Sequence, residues 1–511
     1  SQNPTDVHAY MTLQIVGPQG ADTKTTPGED HTELGTAVEN KISNVTILLC
    51  NSTTHDVVAS FSTGFTLTAT DNNGVVTSPI AIPESVTAGT YEVYAIANDP
   101  TPSLFKKTDN VTTKTIDDIT MSNMKSKYAA NDKFLMFNES NGNGTDDVAG
   151  ASITISENNS YENPAKCDAP IELDRLAVKI RSKAAETIDI GGINGTDGEF
   201  NAVKSVTLQG FKLLNGATKV NLQQKWTKAT NEQGTNYPWI NTLITPILSA
   251  GNAAGTETEG YYNHLSDFRT ITQASGVYSV VQDTYATVDA YGSKETDDIY
   301  CMENNPTWDG SKIVDAKKGN TTGLVYQWKV TIKDKVSPET GSESDGLAGA
   351  NCFYSYNNEY YATLDALLTA YPGILEKETT GTTNEEKQTA IKEELRTAYN
   401  SGAVNQKGIS DFRAKYNIKV YTDGIMYYTY YIKDKNYEQG ETGMEETYYS
   451  VMRNTVYDLT VTKLQRVGTD IPGGWNPDAD PEDPVEPTNV YMVVQAQANP
   501  WVVSKEDITL E

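Results

Sequence analysis

The chain has 511 residues, 37% of them hydrophobic, with 40 Lys and Arg against 68 Asp and Glu, a formal net charge of -28 and a pI near 4.5. That length asks for two or more domains, and so negative a field repels phosphate backbones and anionic membranes, which excludes nucleic acid as a partner. No run approaches the roughly 20 apolar residues of a membrane-spanning helix, and the weight of Thr, Tyr, Val and Ile predicts a mainly β protein.

The chain opens at Ser1 without a Met, the mark of a leader removed or left out. In residues 7–17, VHAYMTLQIVG, Ala9, Met11, Leu13 and Ile15 alternate with Tyr10, Thr12 and Gln14, which predicts a strand with one face in a core. Residues 18–39 are polar and turn-rich and predict an exposed loop. Strands follow in KISNVTILLCN, in the stretch around Asp71-Asn72-Asn73-Gly74, and in GTYEVYAIAND. The Asp-Asn-Asn-Gly run has hairpin-turn chemistry and lacks the further ligands of a calcium loop.

IELDRLAVKIR, residues 171–181, predicts a strand that leaves a first domain and opens a second. The β pattern continues in VKSVTLQGFKLL, LVYQWKVTIKD and IMYYTYYIKD, while residues 359–371 and 382–402 carry helical spacing, the latter with Thr383 as cap. These helices are expected as insertions on a β scaffold. The thirty tyrosines suit amphipathic sheets, with a buried ring and a wet hydroxyl, although exposed tyrosines also stack on sugars or anchor protein partners.

A search for catalytic chemistry finds no nucleophile elbow, zinc-protease helix, phosphate loop or dinucleotide fingerprint. His8, His31, His55 and His264 are scattered, so no base is placed. Cys50, Cys167, Cys301 and Cys352 show no metal spacing; Cys301 and Cys352 pair only if their Cα atoms come within reach, and free thiols are the expectation. No enzyme, cofactor or metal is expected, and the acidic run Asp478, Asp480 and Asp483 is taken as a solvated spacer.

That spacer, within GTDIPGGWNPDADPEDPVEPT, is too rich in Pro and Asp to bury a core. It precedes NVYMVVQAQANPWVVSKEDITLE, in which Met492, Val494, Ala496 and Ala498 alternate with the more polar Tyr491, Val493, Gln495 and Gln497. Pro500 lacks an N–H and interrupts the ladder, after which Trp501 and Val503 continue the apolar face. A strand-like tail on a tether needs a sheet to join, its own or another molecule's. The expected divisions are residues 1–40 (first strand and processing loop), 41–170 and 171–470 (two β domains), 471–488 (linker) and 489–511 (C-terminal strand).

The C-terminal region combines Arg453-Asn454 before a strand with Tyr457, the Pro/Asp linker, and Pro500-Trp501 inside the last strand. In this combination it resembles the Bacteroidales fimbrillins, the type V pilins, and among them the Mfa-type subunits. The resemblance is strongest over residues 425–511 and extends more loosely over the N-terminal third. It implies two tandem transthyretin-like β-sandwich domains with short helical insertions, export as a lipoprotein precursor, and assembly at the cell surface by strand exchange.

The same resemblance implies that the first strand, with Ala9, Met11, Leu13 and Ile15, is removed by a protease cutting after an Arg. The groove it leaves then takes another subunit's donor strand, here Val490, Met492, Val494, Ala496, Ala498, Trp501 and Val503. This chain has no Arg before Arg175, so Lys24 and Lys41 are the candidate cut sites. The implied partners are further copies of the chain, minor tip and anchor subunits, and host or bacterial surface receptors. The alternative reading is a tip or surface adhesin that binds glycan or protein through its Tyr-rich C-terminal domain.

Overall fold

The computed structural model describes residues 7–18, 33–70, 74–99, 120–122, 134–140, 150–217, 219–230, 236–240, 242, 269–274, 277–282, 299–334, 347, 351–400, 407–434, 449–470, 483–485 and 491–502. Its elements are mainly strands, as expected, and they enclose two large hydrophobic cores.

The first core lies between two sheets. One is three-stranded, with Val7–Thr12 (β1) between Ala165–Lys166 and Ile80–Pro83. The other is nine-stranded and includes Val45–Asn51, Gly89–Ala97, Ile171–Arg175, Gln14–Val16 (β2) and Gly74–Thr77. Val45, Ile47, Leu49, Val93, Ala95, Phe137, Ile153 and Ile82 meet inside with the apolar face of β1 and β2. The hairpin expected at residues 71–74 is seen in its flanks, since Leu67–Ala69 pairs antiparallel with Gly74–Thr77; residues 71–73 themselves lie outside the described residues.

The second core is also shared by two sheets. One has the order Ile299–Met302, Ala177–Asp189, Thr455–Leu464, Met492–Val502, Glu33–Leu34 (β3), and the other Val203–Leu214, Gly323–Ile332, Ile425–Tyr431. Period-2 alternation explains the burial: Tyr326, Trp328, Val330 and Ile332 are buried while Gln327, Lys329 and Thr331 are half-buried. Gly323–Ile332 and Ile425–Tyr431 pair with each other, so the described elements between them interrupt that sheet in sequence. They include the helices Leu364–Ala370, Asn384–Asn400 and Lys407–Tyr416, with a core of their own around Leu367, Leu368, Ile391, Leu395 and Phe412. Thr383 does cap the long helix: its hydroxyl accepts from Glu386 N–H (3.2 Å), and its own N–H donates to the Glu386 carboxylate (3.2 Å).

Much of the tyrosine complement is core. Tyr326, Tyr421 and Tyr428 are buried, and their hydroxyls meet Ser182 Oγ (2.6 Å), the Gly468 carbonyl (2.7 Å) and the Arg466 carbonyl (2.6 Å) rather than water. The four cysteines are free thiols.

One expectation changes, and for the tail one of two alternatives is seen. The linker is not a free spacer throughout: Lys318 N–H donates to the Asp483 carbonyl (2.9 Å), Val485 N–H donates to the Ala316 carbonyl (2.8 Å), and Val485 packs with Ala316 and Tyr449. One apolar residue and two backbone bonds suffice to dock a segment whose composition is otherwise solvating. The tail, expected to join a sheet of its own or of another molecule, forms the strand Met492–Val502 of the chain's own second sheet. Its alternation fits that sheet, with Met492 and Val494 in the second core.

A buried polar junction joins the two cores. The short helix Ala37–Asn40 (α1) opens with a capping box between Thr36 and Glu39. Glu39 is buried, and its carboxylate accepts from Lys179 Nζ (3.1 Å to Oε2), Tyr300 Oη (2.7 Å) and Thr36 N–H (2.9 Å). Arg175, also buried, donates to the Glu39 carbonyl (3.1 Å), to Asn40 Oδ1 and to Asn454 Oδ1 (3.2 Å). Next to it Arg453 is buried against Glu303 (2.7 Å) and donates to the carbonyls of Leu222 (2.7 Å) and Asn221 (2.6 Å). Asn454, in the left-handed region at φ 55, takes an Asp174 contact as well. The Arg-Asn pair noted in the sequence is thus a clamp, holding segments far apart in the chain at one buried point.

Burial by itself raises the Glu39 carboxyl, but the Lys179 charge and the hydrogen bonds from Thr36 and Tyr300 outweigh it and hold the group below its ordinary value of 4.5. A depressed carboxyl contributes stability above its unfolded-chain value, lost as pH falls through the folded value. Stability should therefore decline below about pH 4.5. Glu39→Gln should cost about 3–5 kcal/mol at neutral pH, because it strands buried Lys179, and should flatten that acid limb. Denaturant titrations across pH check this; identical profiles for variant and parent contradict it.

Candidate assembly site

The first strand crosses from one sheet to the other. β1 pairs antiparallel with Ile80–Pro83 and parallel with Ala165–Lys166. After Leu13, β2 pairs parallel with Ile171–Arg175 and antiparallel with Gly74–Thr77. Both of its edges are therefore bonded, and it staples the two sheets of the first core. At the crossing, Leu13 N–H donates to Thr77 Oγ1 (3.0 Å), Thr77 N–H donates to the Leu13 carbonyl (2.9 Å), and Thr12 Oγ1 donates to the Thr77 carbonyl (2.6 Å).

Ala9, Met11, Leu13 and Ile15 are all at most 2% exposed. The three larger ones are each worth about 1.5–3 kcal/mol of burial. Losing the strand would open apolar pockets and leave backbone donors and acceptors unpaired along both flanks. Gly74 permits the close seating of β2, since a Cβ there would overlap the Ile15 carbonyl.

Met492–Val502 is held differently. It pairs along its length with Thr455–Leu464, from Leu464↔Met492 to Thr455↔Pro500, with a register shift between Val461 and Lys463. On its other side the described partner is β3 alone, at Trp501↔Glu33 and Val502↔Leu34. The alternation matches the expected faces: Met492 and Val494 are buried, Ala496 and Ala498 are half-buried against the second core, and Tyr491, Gln495 and Gln497 are exposed. Val490 and Val503 lie outside the described residues, and for Trp501 the structure describes the backbone only.

Lys24 also lies outside the described residues. Lys41 follows α1 between buried Asn40 and Ile42, and its carbonyl accepts from Asn98 Nδ2 (2.7 Å). A cut there needs the junction to unfold locally, because proteases take exposed extended chain; the packing argues against Lys41 as a processing site. The junction residues Glu39, Lys179, Tyr300 and Glu303 were not singled out from the sequence. Arg175, the first Arg of the chain, and Arg453 were the only signals of it. Among the described residues, no group of three or more His, Cys, Asp or Glu is placed to hold a metal.

Leu13→Ala should destabilise the first core by about 2–5 kcal/mol, and Gly74→Ala should speed hydrogen exchange over residues 7–16 without altering residues 203–214. Equal exchange in Gly74→Ala and the parent chain would show that the close approach is not what seats β2.

The profile of the major fimbrial subunit protein family (FimA) matches residues 9–175, and that of the major fimbrial subunit protein type IV, fimbrillin, C-terminal, matches residues 419–507. No curated protein sequence matches the chain. Among solved structures, a fimbrilin (FimA) from Porphyromonas gingivalis W83 is 13% identical, with a TM-score of 0.39 and coverage of 98% of this chain and 99% of that one. The tip fimbrial protein Mfa3 from Porphyromonas gingivalis, solved with a C-terminal truncation, is 10% identical, with a TM-score of 0.35 and coverage of 96% and 99%. The two profiles take in the stapled first strand at one end and the clamp and C-terminal strand at the other, and the chain belongs to the fimbrillin family of fimbrial subunit proteins.

Proposed function

We propose that this chain is a fimbrial subunit that polymerises at the cell surface by donor-strand exchange. Val7–Val16 is the placeholder, and the C-terminal strand of another copy is its replacement. The observation that supports this reading is the asymmetry between the two terminal strands. The first is bonded to strands on both edges in each of its halves and fills a core; the last is bonded along its length on one edge, meets only Glu33–Leu34 on the other among the described residues, and carries the same two-residue apolar alternation. A chain with a fillable groove at one end and a fitting strand at the other makes a heterologous contact, which propagates as a filament.

In this scheme Ala9, Met11, Leu13 and Ile15 leave, and Met492, Val494, Ala496 and Ala498 enter their pockets, extended by Val490, Trp501 and Val503. Processing falls between residues 18 and 32, where Lys24 is the basic residue. Export as a lipoprotein precursor and capping by tip and anchor subunits complete the proposal. Surface receptors are the remaining partners. Tyr326, Tyr421 and Tyr428 are core residues, which favours a structural over a sugar-stacking role for these three.

A chain carrying an engineered protease site between residues 18 and 32 tests the reading. Uncut protein should stay monomeric and cut protein should form filaments in electron micrographs. An excess of peptide 489–511 should shorten the filaments by occupying open grooves. The same peptide with Val494→Asp should not, since it places a charge in an apolar pocket. Filaments of normal length from chains lacking residues 489–511 would refute the donor role.

A further inference from the structure

The two terminal strands share more than their alternation. Residues 10–14 read Tyr-Met-Thr-Leu-Gln, residues 491–495 read Tyr-Met-Val-Val-Gln, and Tyr-Met occurs nowhere else in the 511 residues. Alternation alone says which residues of an incoming strand face a core, but it leaves shifts of two residues equivalent and the direction open. A common pattern read in the same sense along the chain separates these possibilities.

In the register that superposes the two patterns, Met492 takes the place of Met11, Val494 that of Leu13 and Ala496 that of Ile15. All three places are at most 1% exposed in the first core. Leu13 sits at the crossing between the sheets, where its N–H donates to Thr77 Oγ1 (3.0 Å) and its carbonyl accepts from Thr77 N–H (2.9 Å). Both are main-chain groups, which a valine supplies equally well. Pro500, which has no N–H to give, falls three residues past the place of Val16 and so beyond the end of β2. On the outer face Tyr491 takes the place of Tyr10, whose ring lies edge-on to that of Tyr161, with centroids 5.4 Å apart. Tyr161 is 54% exposed, and Tyr491 in its own sheet is 47% exposed, so a tyrosine arriving at this place restores the ring contact that the departing strand removes.

We infer that the C-terminal strand of a second copy enters the first core in the direction of the strand it replaces and in one register, with Tyr491 at the place of Tyr10 and Met492 in the pocket of Met11. The inference rests on the donor-strand reading and adds to it the direction and register by which one copy recognises another. It also identifies where the newcomer fits less fully: Val494 is smaller than Leu13, and Ala496 is smaller than Ile15.

Cross-linking tests the register. Tyr10 N–H donates to the Asn159 carbonyl (2.9 Å), away from its cross-strand neighbour Ala81. Tyr10 and Ala81 are therefore a non-hydrogen-bonded pair, the closely spaced kind in which two cysteines can bridge. Chains cut between residues 18 and 32, carrying Ala81→Cys in a Cys167→Ser background, are mixed under mild oxidation with an excess of peptide 489–503 bearing Asn489→Cys, Tyr491→Cys or Val493→Cys. The Tyr491→Cys peptide should become disulfide-linked about tenfold faster than the other two, because only directly opposed cysteines come within bonding distance. In the otherwise unaltered peptide, Ala496→Ile should raise co-elution with the cut chain about tenfold, by refilling the place of Ile15. Fastest linkage through Asn489→Cys or Val493→Cys, or no gain from Ala496→Ile, overturns the register. Cut chains that take up none of the peptides would overturn the donor-strand reading itself, so the two fail separately.

Discussion

The structure depends first on a single strand that belongs to two sheets. From Val7 to Thr12 the chain completes one sheet of the first core, and from Gln14 to Val16 it completes the other. A strand bonded on both edges, with Ala9, Met11, Leu13 and Ile15 inside, is the most expensive kind to remove, since apolar burial and two rows of backbone hydrogen bonds go with it. In the proposed polymer, that cost is what would make the position useful. A groove that is unstable when empty and stable when filled is filled by whatever strand of the right alternation is at hand.

The second constraint is the buried junction, which ties the two halves through charges. Glu39 with Lys179, and Arg453 with Glu303, are pairs whose members are each 2% exposed or less in their side chains. Such pairs rarely add much net stability relative to apolar contacts, yet breaking one is costly because the orphaned charge stays buried. Here they bring together segments far apart in the chain, Glu39 with Lys179 and Tyr300, and Arg453 with Glu303 and the carbonyls of Asn221 and Leu222.

Much of this was legible in the sequence wherever a local period carried it. The alternation of residues 7–17 and 491–498 predicted the correct faces, and Thr383 marked a helix start. The junction was not legible, because Glu39, Lys179 and Glu303 look like ordinary charges in an acidic chain. Nothing local distinguishes a buried carboxylate from a solvated one when its partner is 140 residues away. Whether the tail pairs in its own chain or in another was left open for a related reason. Alternation specifies that a strand needs a sheet, and register specifies which face is buried, but neither says whose sheet it is. The linker's docking at Val485 turned on one apolar residue in a run of Pro and Asp.

The most direct measurement is a density map of the assembled filament at side-chain resolution. The account predicts that the strand lying between Ile80–Pro83 and Ala165–Lys166 belongs to the C-terminal segment of a neighbouring copy, with Val494 in an inward pocket. A map in which Val7–Thr12 still occupies that position, and Met492–Val502 still pairs with Thr455–Leu464 of its own chain, would contradict it.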